Sequence, residues 1–232
     1  MNTRSFSLAL VLSAGLAGLS HATVIGFGQL GGNNTTIPGG LASRAAADGA
    51  GFVVSNGTTP NIAVTWDAEW DIHTSNFFSP LEGRTVGGGA WDNEGDLPRV
   101  GQLDLGSHTI SFAADAGYAL VLNSFDFVHT AETAGTTVWK LSLTNSSSSV
   151  VWSQALTMNN ANPSSSLVTV SPNFIGNLGE SYLLTFSRAS ETYNSNGRHA
   201  IDNLSFNQVP EPSAVALLGL GAAGMVLRRR RA

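Results

Sequence analysis

The stretch Ile62-Ala63-Val64-Thr65-Trp66-Asp67-Ala68-Glu69-Trp70-Asp71-Ile72-His73 alternates in polarity with a period of two along its whole length. Its even positions are Ile62, Val64, Trp66, Ala68, Trp70 and Ile72, and its odd positions end in Asp67, Glu69, Asp71 and His73. Side chains of a strand point alternately to opposite faces, so the pattern predicts one strand with a buried side and a wet side. Trp66 and Trp70 fall on the apolar side and are expected in a core. Further runs rich in Val, Ile, Thr, Phe, Tyr and Trp predict strands over Gln102–Leu105, Thr109–Ala113, Ala119–His129, Thr137–Leu143, Val150–Leu156, Leu167–Ser171, Tyr182–Ser187 and Ala200–Phe206. Turn residues separate them at Asp115-Ala116-Gly117, Thr144–Ser149, Met158–Ser166 and Tyr193–Gly197, and the Gly-rich stretches Gly26–Gly40 and Gly83–Gly89 read as surface loops. No long helical pattern and no internal repeat is visible. The expectation is an all-β, antiparallel β-sandwich of about eight or nine strands.

Both ends of the chain read differently. Arg4, the apolar region Phe6–Leu19 and the small-x-small site Ser20-His21-Ala22 predict a secretory signal peptide over Met1–Ala22, cut after Ala22. At the other end, Pro210-Glu211-Pro212 precedes the uncharged stretch Ala214–Leu227 and then Arg228, Arg229, Arg230 and Arg231. The prolines can neither extend a helix nor join a sheet ladder, so they form a stiff, accessible boundary. The apolar stretch is 14 residues, about 21 Å as a helix against a hydrocarbon core of about 30 Å, a marginal span. The arginines resist export and stay cytoplasmic.

In this order the three elements resemble the PEP-CTERM sorting signal of bacterial envelope proteins. That resemblance implies recognition and removal by an exosortase, a membrane-embedded cysteine protease-like enzyme. The expected organisation is a signal helix over 1–22, a β-sandwich over 23–208 and a sorting signal with a short membrane helix over 209–232. The precursor would sit in the inner membrane and the processed chain at the cell surface or in the extracellular matrix, with signal peptidase and exosortase as processing partners. From about Thr109 to Phe206 the layout also resembles the galactose-binding or carbohydrate-binding-module jelly rolls. The matching pieces are Phe112-Ala113-Ala114-Asp115-Ala116-Gly117-Tyr118, Leu122-Asn123-Ser124-Phe125-Asp126-Phe127 and the closing Ala200-Ile201-Asp202-Asn203-Leu204-Ser205-Phe206. This resemblance implies a polysaccharide as a candidate partner.

Charge narrows the classes. Without Arg4 and the four tail arginines six basic residues remain, against fifteen acids once Glu211 is gone, for a net charge of about −9. An acidic body of this kind argues against nucleic acid and against anionic lipid, and is compatible with divalent cations. The chain has no cysteine, so disulfides, thiol catalysis and zinc–thiolate sites are excluded and the core alone must carry stability.

Three constellations could carry chemistry. Asp67, Glu69, Asp71 and His73 would line one strand side, and Glu69-Trp70-Asp71 resembles the start of the family-16 glycoside hydrolase pattern. The general-acid position falls on His73 or Thr74, neither a carboxylate, and retaining hydrolysis needs two carboxyl groups. The expected catalytic set is therefore empty. Trp91-Asp92-Asn93-Glu94-Gly95-Asp96 offers oxygen ligands at alternate positions, so Asp92, Glu94 and Asp96 are candidate calcium ligands. By resemblance to related jelly rolls, Asp202 is a fourth. Trp91, in its polar Gly-rich loop, is the candidate platform for stacking on a sugar ring; Trp139 and Trp152 are further aromatics. Five Asn-x-Ser/Thr sequons, at Asn33, Asn34, Asn56, Asn145 and Asn203, fit chance in a chain rich in these residues. The expectation is a non-catalytic surface or matrix protein that contacts polysaccharide, with an extracellular polysaccharide hydrolase or lyase and a passive matrix protein as alternatives.

Overall fold

The computed structural model describes residues 22–27, 35–45, 59–68, 70–74, 99–103, 107–131, 135–160, 164–191 and 198–211. Ser20–Val209 form one compact unit; a second, Met1–Leu19 with Pro210–Ala232, lies almost wholly outside the described residues, as do the expected signal helix and membrane helix. Among the described residues no helix is long and apolar enough to cross a membrane.

The body is all-β. Its strands are β1 (Thr23–Ile25), β2 (Thr35–Thr36), β3 (Ile62–Trp66), β4 (Asp71–Thr74), β5 (Arg99–Leu103), β6 (Ser107–Ala114), β7 (Tyr118–Ala131), β8 (Gly135–Asn145), β9 (Val150–Asn160), β10 (Ser164–Val170), β11 (Phe174–Ile175), β12 (Ser181–Glu191) and β13 (Arg198–Pro210). One sheet runs β10-β7-β13-β5-β4-β2, with β1 also on β13 and β11 also on β7; the other runs β3-β6-β12-β8-β9. All the described pairings are antiparallel. The fold is an antiparallel β-sandwich.

Alternation builds the core between the sheets. In the five-stranded sheet Ile110 and Phe112 of β6, Tyr182, Leu184 and Phe186 of β12, and Trp139, Leu141 and Leu143 of β8 are buried, while Lys140 and Leu183 between them are exposed. Across the gap Phe125 and Phe127 of β7 meet Phe186 at ring-centroid separations of 5.4 and 6.4 Å. Phe186 also meets Trp70 at 5.5 Å. Each such fully buried ring contributes about 1.5–3 kcal/mol relative to exposure.

The long alternating stretch is not one strand, contrary to the sequence expectation. It bends after Trp66, so β3 joins the five-stranded sheet and β4 the eight-stranded one. Asp67 turns its carboxylate onto Thr109, accepting from both its backbone N–H and its hydroxyl. The backbone N–H of Trp66 donates to the Gly39 carbonyl and that of Ile37 to the Trp70 carbonyl. Loop 37–42 thus serves as partner on both sides of the bend. Trp66 and Trp70 are nevertheless both buried, as their side of the alternation required, and pack edge-on at 5.1 Å. Their indole N–H groups donate to the carbonyls of Leu41 and Thr109, which satisfies the polar tip of each buried ring.

Candidate functional site

The most organised polar group outside the core is built on β7, β10 and β13. Phe125 and Phe127 point into the core, so Asp126 between them points to the opposite side of the sheet, yet it is mostly buried. Asp126 Oδ1 accepts the Thr169 hydroxyl at 2.6 Å and Oδ2 accepts Asn203 Nδ2 at 3.0 Å. Asn123 Nδ2 donates to Ser205 Oγ at 3.2 Å on the same two strands. One carboxylate therefore ties three neighbouring strands with charge-assisted hydrogen bonds.

Asn203 holds this arrangement through its backbone. Its φ is +51°, in the left-handed region that Asn tolerates better than most residues. Ile201 and Leu204 both belong to the core although they stand three positions apart, an offset that would put them on opposite sides of a regular strand. The left-handed residue absorbs the skipped position, and Asp202 is carried into a buried place, its Oδ1 accepting the Asn203 N–H at 2.8 Å. Asn203→Ala is expected to destabilise the body by about 1 kcal/mol or more beyond Asn203→Gly. Both variants lose the amide, but only alanine is strained at positive φ. Urea unfolding of the two variants checks this, and equal midpoints would remove the backbone argument.

Asp202 is the only one of the four expected metal ligands among the described residues; Asp92, Glu94 and Asp96 lie outside them, as does Trp91. Among the described residues no group of three His, Asp or Glu side chains could hold a metal ion. The bend after Trp66 divides the row of acids: Asp67 faces Thr109, Asp71 lies on β4 opposite Gln102, and Glu69 is outside the described residues. Of the other aromatics, Trp139 is buried against His199, at 4.4 Å, and Trp152 packs on the core. The sequon residues Asn145 and Asn203 use their side chains within the fold: Asn145 Oδ1 accepts the N–H groups of Ser147 and Ser149 in the β8–β9 turn.

Asp126 and Thr169 escaped sequence reasoning as site residues. The one available signal was Phe125-Asp126-Phe127, an acid between two core aromatics, which alternation sends to the far side of the sheet. What sits beside it there depends on β10 and β13, far away in sequence.

The expected processing signal begins inside the fold. Gln208, in β13, is buried and its Oε1 accepts the Asn61 N–H at 2.9 Å. Pro210 closes β13 half-buried and Glu211 is exposed; Pro212 and Arg228–Arg231 lie outside the described residues. Ala22, the expected signal-peptidase position, is half-buried and directly precedes β1. Hydrogen bonds map the end of the sandwich where β13 stops. The Asn61 carbonyl accepts from Asp115 N, the Asp115 carbonyl from Tyr118 N, and the Tyr118 carbonyl from Gly179 N. Close by, Tyr182 donates to Glu180 Oε2 at 2.8 Å and accepts the Asn177 N–H at 2.7 Å. The Tyr182 hydroxyl, then Asn177, hold the Glu180 carboxyl below its ordinary pKa, while burial raises that of Tyr182. The stabilisation from Glu180 is thus present at neutral pH and fades as pH falls through its lowered value.

These features define a β-sandwich whose closing strand runs straight into a sorting signal. Residues 208–231 match the PEP-CTERM protein-sorting motif. No curated protein matches the chain. Among solved structures the chain is similar to an arabinose-bound α-L-arabinofuranosidase, at 11% identity and a TM-score of 0.41, over 82% of this chain and 27% of that one. It is also similar to a carbohydrate-binding module specific for non-crystalline cellulose, at 12% identity and a TM-score of 0.36, over 77% and 98%. A carbohydrate-binding module in complex with calcium and xylotriose gives 14% identity and a TM-score of 0.26, over 55% and 91%. Likenesses at this level carry no ligand or reaction across to this chain.

Proposed function

We infer that this is an exported, non-catalytic cell-surface or extracellular-matrix protein, processed by signal peptidase and exosortase, whose sandwich contacts polysaccharide. The observation that carries the reading is the sorting motif over residues 208–231, joined without a linker to a folded all-β body. Export fits the absence of cysteine and the acidic body. A hydrolase or lyase is the weaker alternative, because the Glu69-Trp70-Asp71 pattern meets His73 or Thr74, neither a carboxylate, at its general-acid position. The candidate sugar platform is Trp91, with Asp92, Glu94 and Asp96 beside it as calcium ligands and Asp202 as a separate cation candidate.

A glycan array probed with the mature chain, in calcium and again in EDTA, tests this reading. Binding to a restricted set of polysaccharides is expected. If it disappears in EDTA and in the Asp92→Asn/Asp96→Asn variant, calcium belongs to the site. If it persists in EDTA but fails in Trp91→Ala, stacking carries recognition. A blank array in both conditions would leave a passive matrix protein, and turnover of glucan, galactan or agar by the chain would restore the enzyme.

A further inference from the structure

Among the described residues the exposed large hydrophobic side chains are Val150, Val151, Ile175, Leu178, Leu183 and Val209. They are not scattered. Val209 is the penultimate residue of β13. The bonds Asn123–Ser205 and Asp126–Asn203 set β7 running opposite to β13; β7 starts at Tyr118, whose carbonyl accepts from Gly179 N beside Leu178, and Ile175 pairs with Val121 three residues along. The β8–β9 turn that leads into Val150 reaches the same end, where Ser146 Oγ donates to Glu180, and Leu183 is opposite Thr144 just before that turn. All six therefore lie toward the end of the sandwich where β13 stops, Ile175 and Val209 on the eight-stranded sheet and Val150, Val151 and Leu183 on the five-stranded one. Ile175 is 68% exposed and Leu178 45%. Among the described residues at this end, Asp115 takes a bidentate Arg44 at 2.6 and 2.7 Å, Glu180 is held by Tyr182 and Asn177, and Glu211 is exposed.

We propose that this apolar rim is a membrane-contact surface of the anchored precursor, with Ile175, Leu178 and Val209 seated in the lipid interface. The inference rests on the sorting reading, in which Ala214–Leu227 lies in the bilayer before cleavage. Only Glu211, Pro212 and Ser213 separate the end of β13 from that stretch, a covalent reach of about 10 Å even when fully extended. Exposed apolar patches on soluble surfaces mark interaction sites, and a tether this short leaves the bilayer as the surface that meets this end. The acidic body weighs against free docking on anionic lipid, so the contact is one that anchorage imposes and cleavage releases. That makes the rim a positioning device: it presents the Pro210-Glu211-Pro212 boundary at membrane level.

The test uses the full chain in phosphatidylcholine vesicles. Because the chain has no cysteine, single variants Ile175→Cys, Leu178→Cys, Ala155→Cys and Ala222→Cys each carry one environment-sensitive fluorophore. The probes at 175, 178 and 222 are expected to shift to the blue and to be quenched by lipid-chain spin labels, and the probe at 155, on an exposed part of β9, to do neither. Quenching at 222 without any at 175 or 178 overturns the rim contact and leaves the anchor standing. No quenching at 222 overturns the anchor and the rim together. If 175 and 178 stay unquenched while Ile175→Asp/Leu178→Asp slows cleavage by the exosortase, the rim binds that enzyme and the lipid assignment is wrong.

Discussion

Replacing Pro210, Glu211 and Pro212 together by alanine is expected to leave nearly all of the chain uncut in the inner membrane. β13 is held to the sandwich as far as Gln208, whose side chain accepts the Asn61 N–H, and it stops at Pro210. Proline ends it for two reasons: it brings no N–H to the ladder, and it fixes its own φ. Three alanines restore the missing donors, remove the stop that the prolines set, and take away the exposed Glu211 carboxylate. The boundary that the motif places between body and tail is then neither stiff nor marked. Immunoblotting of membrane and surface fractions reads the outcome. Normal amounts of shortened, surface-located product from this variant would show that the motif is not the sorting signal.

The largest effect on stability is expected from Phe186→Ala. Phe186 is fully buried on β12 and joins both sheets, meeting Phe125 and Phe127 of the opposite sheet and Trp70 beyond the bend. Its neighbours are themselves large rings held in edge-on or stacked contacts, so they cannot collapse into the space. The cost is about 3–5 kcal/mol, the range for aromatic truncation in a core. For a body of this size that lowers the melting temperature by roughly 10 °C. With no disulfide to compensate, a calorimetric scan should show the whole transition moving. A shift of only one or two degrees would mean that the inter-sheet core does not carry the fold. Leu183→Ala, the neighbour on the opposite side of β12, is the control and should change little, because its side chain is already exposed.

The two outcomes separate features that the sequence displays in different ways. Strand character was legible wherever alternation ran far enough: β6, β8, β9 and β12 contain the expected runs Thr109–Ala113, Thr137–Leu143, Val150–Leu156 and Tyr182–Ser187 within longer strands. Strand ends were not. β9 continues to Asn160 and β10 starts at Ser164 although Met158–Ser166 carries turn residues, because the neighbouring strand supplies hydrogen-bond partners that outweigh the weak preference of Asn and Ser for turns. β1, β2 and β11 are too short to show a period at all and exist only through their pairing with β13, β4 and β7.

The sequence by itself determined the fold class, the burial of Trp66 and Trp70 and the sorting signal, because each depends on order along the chain. Periodicity sets which side is apolar, and the signal is a linear string of prolines, apolar residues and arginines. Only the tertiary structure decided that Ile62–His73 breaks across two sheets, that Asp126 meets Thr169 and Asn203, and that the exposed apolar residues lie toward the end where β13 stops. A strand conserves the side on which a residue lies but not the sheet it joins. That choice belongs to partners tens of residues away: the Thr109 groups that capture Asp67, and the loop that pairs with both Trp66 and Trp70. Long-range hydrogen bonding leaves no period in the local sequence, which is why the bend and the polar network appeared only once the strands were placed side by side.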